Sequence, residues 1–184
     1  MGKVVALVYV SMDGVMEAPE KWSLKFWNEQ HSEYADGLLY TSGALLLGRA
    51  TYETFAASWP HMEKAEGEFA LRMNTLPKYV VSRSLDKAEW NNSTVVEGDL
   101  AEAVAKIKQS HEQNILIYGS GELVTSLIEL GLVDELKLWV YPVSVGAGKR
   151  LFREGGPAAS WTLATTTAFN SGAVVLDYRP AGEE

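Results

Sequence analysis

The chain has 184 residues, 16 basic and 24 acidic, for a formal net charge of −8; 47% of the residues are apolar and 22% charged. That composition supports one ordinary core, and the acidic balance sets aside a nucleic-acid binder that works through a broad basic face. Cysteine is absent, which excludes disulfides, thiol nucleophiles and thiolate zinc sites together.

The chain opens on Lys3-Val4-Val5-Ala6-Leu7-Val8-Tyr9-Val10, a β-rich apolar run without polar alternation. Such a run predicts a central strand buried on both faces. It follows Met1-Gly2 directly, with Ala6 where a myristoylation signal needs Ser or Thr. No apolar stretch approaches the roughly 18 residues of a membrane span. The expectation is a cytoplasmic protein of one domain, residues 1–184.

Ser11-Met12-Asp13-Gly14 ends the first strand with turn chemistry, and Lys21 to about Gly43 reads as a helix interrupted near Gly37. Ala44-Leu45-Leu46-Leu47-Gly48 reads as a second strand, followed by helices at Thr51 to Ala57 and Glu66 to Asn74. Strands are predicted at Lys78 to Ser82 and Ser93 to Glu97. Asp99-Leu100-Ala101-Glu102 has capping-box spacing and opens a helix over 100–110. A strand at Asn114 to Tyr118 then runs into Gly119-Ser120-Gly121 and a further amphipathic helix, stopped at Gly131. Asp134 to Val140 is a sixth strand, and Trp161 to Phe169 and Ala173 to Tyr178 form a hairpin across Asn170-Ser171-Gly172. Early alternation and late pairing predict a three-layer α/β/α fold, with a mixed, mostly parallel sheet of about eight strands and an antiparallel edge. Function then belongs at the carboxyl ends of the parallel strands, in the loops after Val10, Leu47, Val81 and Tyr118.

Three of those loops carry anion chemistry. Gly48-Arg49-Ala50-Thr51 joins a strand to a helix start, where free backbone N–H groups attract phosphate, and adds a guanidinium and a hydroxyl. Ser82-Arg83-Ser84 offers a second guanidinium between two hydroxyls at the same end of the sheet. Gly119-Ser120-Gly121-Glu122-Leu123 repeats the strand, glycine, helix arrangement and presents amides to a pyrophosphate, although Val124 replaces the third glycine of the dinucleotide fingerprint. Each motif taken singly also reads as an ordinary turn or helix entry. Gly146-Ala147-Gly148-Lys149-Arg150 is not a P-loop, since Val143 and Arg150 stand at two of its fixed positions. His31, His61 and His111 are isolated, which argues against a metal and for solvated or capping imidazoles. Asp13 is placed to bond a heterocycle or relay a proton, or else to make a plain Asp-Gly turn; Trp22, Phe26 and Trp27 suit either ring stacking or core packing.

The ensemble resembles the dihydrofolate reductase-like fold, and more closely its riboflavin-biosynthesis branch, the RibD C-terminal domain family, from Lys3 to Arg179. Ser11-Met12-Asp13-Gly14 and Leu47-Gly48-Arg49-Ala50-Thr51-Tyr52 carry the likeness, and Gly131 to Leu136, Pro142, Gly146, Gly148 and Leu151-Phe152 resemble the riboflavin branch specifically. The resemblance implies an oxidoreductase that binds NADPH. Gly48, Arg49, Thr51, Ser82, Arg83 and Ser84 would hold the 2′-phosphate and one side of the pyrophosphate; Gly119, Ser120, Gly121, Glu122 and Leu123 would line its other side. Ser11, Asp13 and Trp27 would face a heterocyclic small-molecule substrate, with Asp13 as the catalytic group. The nearest named reaction is reduction of 5-amino-6-(5-phosphoribosylamino)uracil in riboflavin biosynthesis, with a dihydrofolate or pterin reductase, or a non-catalytic NADPH-binding protein, as alternatives. The stretch Ser23 to Trp27 lacks the carboxylate that folate reductases carry on their first helix, and Tyr118 stands where the riboflavin reductases tend to carry Glu. Without cysteine the chain is not expected to carry a fused zinc deaminase, and the resemblance also implies a homodimer; the acidic charge and the lack of a long apolar stretch lead to the expectation that it binds neither nucleic acid nor membrane.

Overall fold

The computed structural model describes residues 1–182. Its elements are β1 (Val4–Ser11), α1 (Glu29–Tyr40), β2 (Ser42–Gly48), α2 (Arg49–Ser58), α3 (Glu63–Thr75), β3 (Lys78–Val81), β4 (Ser93–Val96), α4 (Leu100–Ser110), β5 (Asn114–Tyr118), α5 (Gly121–Glu129), β6 (Glu135–Tyr141), β7 (Trp161–Ala168) and β8 (Val174–Pro180). The strands form one sheet in the order β4-β3-β2-β5-β1-β6-β8-β7, parallel from β4 to β6 and antiparallel across β8 and β7.

The predicted central strand is central: β1 lies between β5 and β6, with Leu7 opposite Tyr118 and Ser11 opposite Tyr141. Its side chains alternate between two cores. Val4, Ala6, Val8 and Val10 pack with Val104 and Ile107 of α4 and Val124 and Leu127 of α5. Val5, Leu7 and Tyr9 face the opposite layer, with Leu39 of α1, Tyr52 of α2 and Met73 of α3. This is the three-layer arrangement that the apolar run demands, because a strand with no polar face needs cover on both. No helix among the described residues is long and apolar enough to cross a membrane.

The main correction concerns the first helix. Pro19–Lys21 and Leu24–Phe26 are separate 3₁₀ turns, Trp27 is extended, and α1 starts only at Glu29, where the Asn28 side chain accepts from His31 N. The chain breaks there because Trp22 is buried and Phe26 half-buried against the α1-side core, a packing one straight helix does not reach. Gly37 continues α1 rather than interrupting it. The stretch Ser23 to Trp27, which carries no carboxylate, thus precedes the first α-helix, and the acids of α1 itself are Glu29, Glu33 and Asp36. α3 begins earlier than expected, at Glu63, with the helical geometry broken at Gly67 (φ 53°).

Lys78 looks like an ordinary strand start in the sequence but is fully buried. Its ammonium donates to the carbonyls of Asn74, Leu76 and Asn91 at 3.0, 2.7 and 2.8 Å and lies 4.3 Å from the centre of the Trp90 ring. Burial lowers its pKa to about 8. The contact fastens the loop between β3 and β4 to the end of α3, which positions the Ser82-Arg83-Ser84 turn. Leu116, wholly buried in β5, faces this same α1-side core. Leu116→Ala is expected to lower the unfolding free energy by about 2–5 kcal/mol in urea titration; a loss under 1 kcal/mol would show that the site refills and that the core is looser than described.

Candidate functional site

The exits of β2, β3, β4 and β5 meet at one edge of the sheet and enclose a cavity of about 1380 Å³. Ten of the eleven residues expected to hold a cofactor line it: Gly48, Arg49, Thr51, Ser82, Arg83, Ser84, Ser120, Gly121, Glu122 and Leu123. Gly119 stands just behind, in the left-handed conformation (φ 51°), where a Cβ would be 3.7 Å from Thr51 Oγ1.

Two helices begin in this cavity without a side-chain cap. α1 and α4 are capped by Asn28 and Asp99, whereas Gly48 before α2 and Ser120 before α5 supply no side-chain hydrogen bond. Their first-turn N–H groups remain available to an anion. The hydroxyl of Ser120 has another use. It accepts from Gly48 N at 3.0 Å and donates to the Tyr118 carbonyl at 3.0 Å, tying the two helix starts together.

The guanidiniums differ in how they are held. Arg49 is oriented by Glu53 (Nε to Oε1, 2.8 Å) and by Ser84, to whose hydroxyl it donates. Exposed pairs of this kind add little stability, but they fix a direction. Arg83 is exposed at the cavity wall. Ser82 acts on the turn itself, its hydroxyl accepting from Ser84 N and Leu85 N at 3.3 and 3.1 Å.

The sequence reading missed the far wall, Val95 to Leu100, which includes Glu97, Gly98 and Asp99. The signal was present, since Gly98 between a strand and a capped helix repeats the pattern used elsewhere. Carboxylates from Glu53, Asp86, Glu97, Asp99 and Glu122 thus share the cavity with Arg49, Arg83 and Lys149. Attraction for an anion here is local, set by donors at hydrogen-bond range rather than by the overall field.

Ser11 and Asp13 are not on this wall. Ser11 is buried, and its hydroxyl donates to Asp13 Oδ1 at 2.5 Å and accepts from Val15 N at 2.9 Å. The Asp13 carboxylate also accepts from Val145 N at 3.0 Å and Gly146 N at 2.7 Å. The Ser11 hydrogen bond first, then those two backbone amides, hold its carboxyl well below the usual carboxylate range. A group kept ionised in this way carries no proton to donate at neutral pH. Its geometry is that of a clamp joining the exit of β1 to the loop after β6, beside Met12 N to Val143 O and Met16 N to Lys149 O, both 2.8 Å. Met16, carried by this clamped loop, sits over Gly121, where any Cβ would collide with its thioether.

Trp27 lies on an aromatic stack instead of the cavity. It packs on Trp139 with 5.7 Å between centroids, donates to Ser32 Oγ at 3.0 Å and is 39% exposed. His31, expected to be solvated or capping, is wholly buried between Trp139 and Phe169, with Nδ1 2.8 Å from Asn28 Oδ1; burial lowers its pKa.

Residues 2–175 match the RibD C-terminal domain family. The chain is 32% identical to protein YyaP of Bacillus subtilis, over 73% of this chain and 72% of that one. It is 30% identical to protein YwjB of the same organism, over 96% of this chain and 97% of that one. It is also similar in fold to a pyrimidine reductase-like protein from Corynebacterium diphtheriae, with a TM-score of 0.70 and 14% identity over 99% of this chain and 93% of that one.

The Asp13 clamp has a pH signature. A carboxylate whose folded pKa is depressed stabilises the fold above its unfolded pKa of about 3.9 and loses that effect as pH falls through the folded value. Asp13→Asn is expected to melt below the parent protein by a constant margin above about pH 5, with the margin closing below about pH 4. Equal melting temperatures at pH 7, or a margin that ignores acid, would remove the clamp.

Proposed function

This chain belongs to the RibD C-terminal domain family, and from that premise we propose that it is a reductase that holds NADPH in the 1380 Å³ cavity and passes hydride to a pyrimidine-type heterocycle. The observation that carries this reading is the convergence of two uncapped helix starts and two guanidiniums on one cavity. Reduction of 5-amino-6-(5-phosphoribosylamino)uracil is the nearest reaction, and the likeness to a pyrimidine reductase-like protein supports the substrate class.

The donor set fits such a cofactor. Amides at the start of α2, with the Thr51 hydroxyl, and the amides of Gly121, Glu122 and Leu123 suit a pyrophosphate. Arg49, Arg83 and Ser84 suit the additional phosphate that separates NADPH from NADH, because planar guanidiniums match phosphate oxygens pairwise. Bound reduced nicotinamide supplies the hydride. The chain supplies orientation and exclusion of water. Ser120 fixes the spacing of the two helix starts, and the Asp13 clamp holds the loop that carries Met16 over Gly121.

Ligand binding to the native state raises the melting temperature by mass action. NADPH is expected to stabilise the protein more than NADH at equal concentration. Arg49→Ala and Arg83→Ala should each weaken NADPH by about tenfold, the worth of one charge-assisted contact, while changing NADH little. Equal loss for both cofactors would show that neither guanidinium reads the extra phosphate, and the absence of any shift with NADPH would sink the cofactor assignment.

A further inference from the structure

Arg49 stands where a helix disfavours a cation. It is the first residue of α2, at the end whose backbone dipole attracts negative charge. The helices α1, α3, α4 and α5 each carry Glu in their first turn, whereas α2 carries no acid there and opens on the guanidinium. The first carboxylate of α2 is Glu53, four residues on, and a base placed before an acid at this spacing is the weaker order of such a pair. Local rules broken together at a cavity wall mark a site kept for use rather than for stability.

The pair also poses a problem. Glu53 lines the proposed cofactor cavity, so a negative charge lies 2.8 Å from an arginine that is to take a phosphate. The hydrogen bonds resolve it. Glu53 Oε1 accepts from Nε, on the flank of the guanidinium, and the Ser84 hydroxyl accepts from Nη1. A guanidinium carries its N–H donors in a rigid fork. Both hydrogens of Nη2 and one of Nη1 stay free, and two neighbouring nitrogens of this kind match two oxygens of one phosphate. Ser84 is held in turn, its amide donating to the Ser82 hydroxyl at 3.3 Å, so Arg49 is fixed from α2 on one side and from the turn after β3 on the other.

We propose that Glu53 is a positioning residue for nucleotide selection: by holding the flank of Arg49 it aims the free Nη pair at the additional phosphate of the cofactor, and so sets the preference for NADPH over NADH. The inference rests on the reductase reading for its choice of ligand. The two side chains are 48% and 51% exposed, so a guanidinium without its acceptor samples many rotamers, and the ligand then has to order it. Repulsion between Glu53 and a bound phosphate acts through solvent and is screened, whereas lost aim is not restored by salt.

Glutamine keeps the acceptor oxygen and removes the charge; alanine removes both. Calorimetric titration with NADPH and NADH gives the ratio of affinities in each protein. Glu53→Ala should cut the preference for NADPH about three- to tenfold, the effect of one side chain that binding must now immobilise, with NADH affinity within twofold of the parent. Glu53→Gln should keep the preference within twofold or raise it. Added to Arg49→Ala, Glu53→Ala should change the ratio by less than twofold, because it acts through Arg49. A preference that rises in the alanine variant would make Glu53 a competitor of the phosphate, and one that stays level would leave it no role; either result overturns the proposal. So does a loss in Glu53→Gln equal to that in Glu53→Ala, or a further loss in the double variant. A parent preference abolished by Arg49→Ala but spared by Glu53→Ala overturns this proposal alone, whereas a parent that binds NADPH and NADH alike overturns it together with the cofactor reading.

Discussion

The Gly48 amide donates to the Ser120 hydroxyl across 3.0 Å, and the same hydroxyl donates to the carbonyl of Tyr118. Through that one side chain the exits of β2 and β5 are held at a fixed separation, and with them the starts of α2 and α5. Close approach is required on both sides. A Cβ on Gly48 would be 3.3 Å from Ser120 Cβ, and Ser120 itself adopts the left-handed conformation (φ 50°, ψ 46°) that non-glycine residues rarely occupy. Strain of this kind persists where the surroundings over-determine it, and it clusters at functional sites. Here it turns two sets of unbonded N–H groups toward one space.

The rest of the edge follows from that spacing. Parallel pairing of β2 with β3 brings the Ser82-Arg83-Ser84 turn beside Arg49, and the buried ammonium of Lys78 keeps the following loop in place. On the other side of β1, the ionised Asp13 ties the first loop to the segment after β6 and so carries Met16 over Gly121. The net acidity of the chain does not oppose the proposed anion site, because short-range donors outweigh a screened long-range field; the Debye length is only about 8 Å at physiological salt.

Much of this was legible in the sequence. The unbroken apolar run at Val4 to Val10 marked the central strand, and three strand-to-turn motifs bearing Gly48, Arg83 and Gly121 pointed to one edge, because parallel strands deliver their exits together. The beginning of the first helix was not legible. Helical spacing of Trp22, Phe26 and Trp27 is shared by 3₁₀ turns folded onto a core, and tertiary packing chose between them. The same limit hid the burial of His31 and Lys78, polar residues whose stacking and carbonyl partners come from distant or irregular segments. Asp13 was legible, and so was its neighbour Ser11, yet the two backbone amides that complete the clamp, Val145 and Gly146, lie 132 and 133 residues away, so only the fold distinguishes a clamp from a local turn.

On the proposed reading, the donors at this edge form a phosphate site that reads more than a single 5′-phosphate. Calorimetric titration with 2′,5′-ADP and with 5′-AMP isolates it from hydride chemistry and from the substrate. The bisphosphate is expected to bind at least about tenfold more tightly, with an advantage that narrows as salt is raised. Equal affinities for the two nucleotides would contradict it.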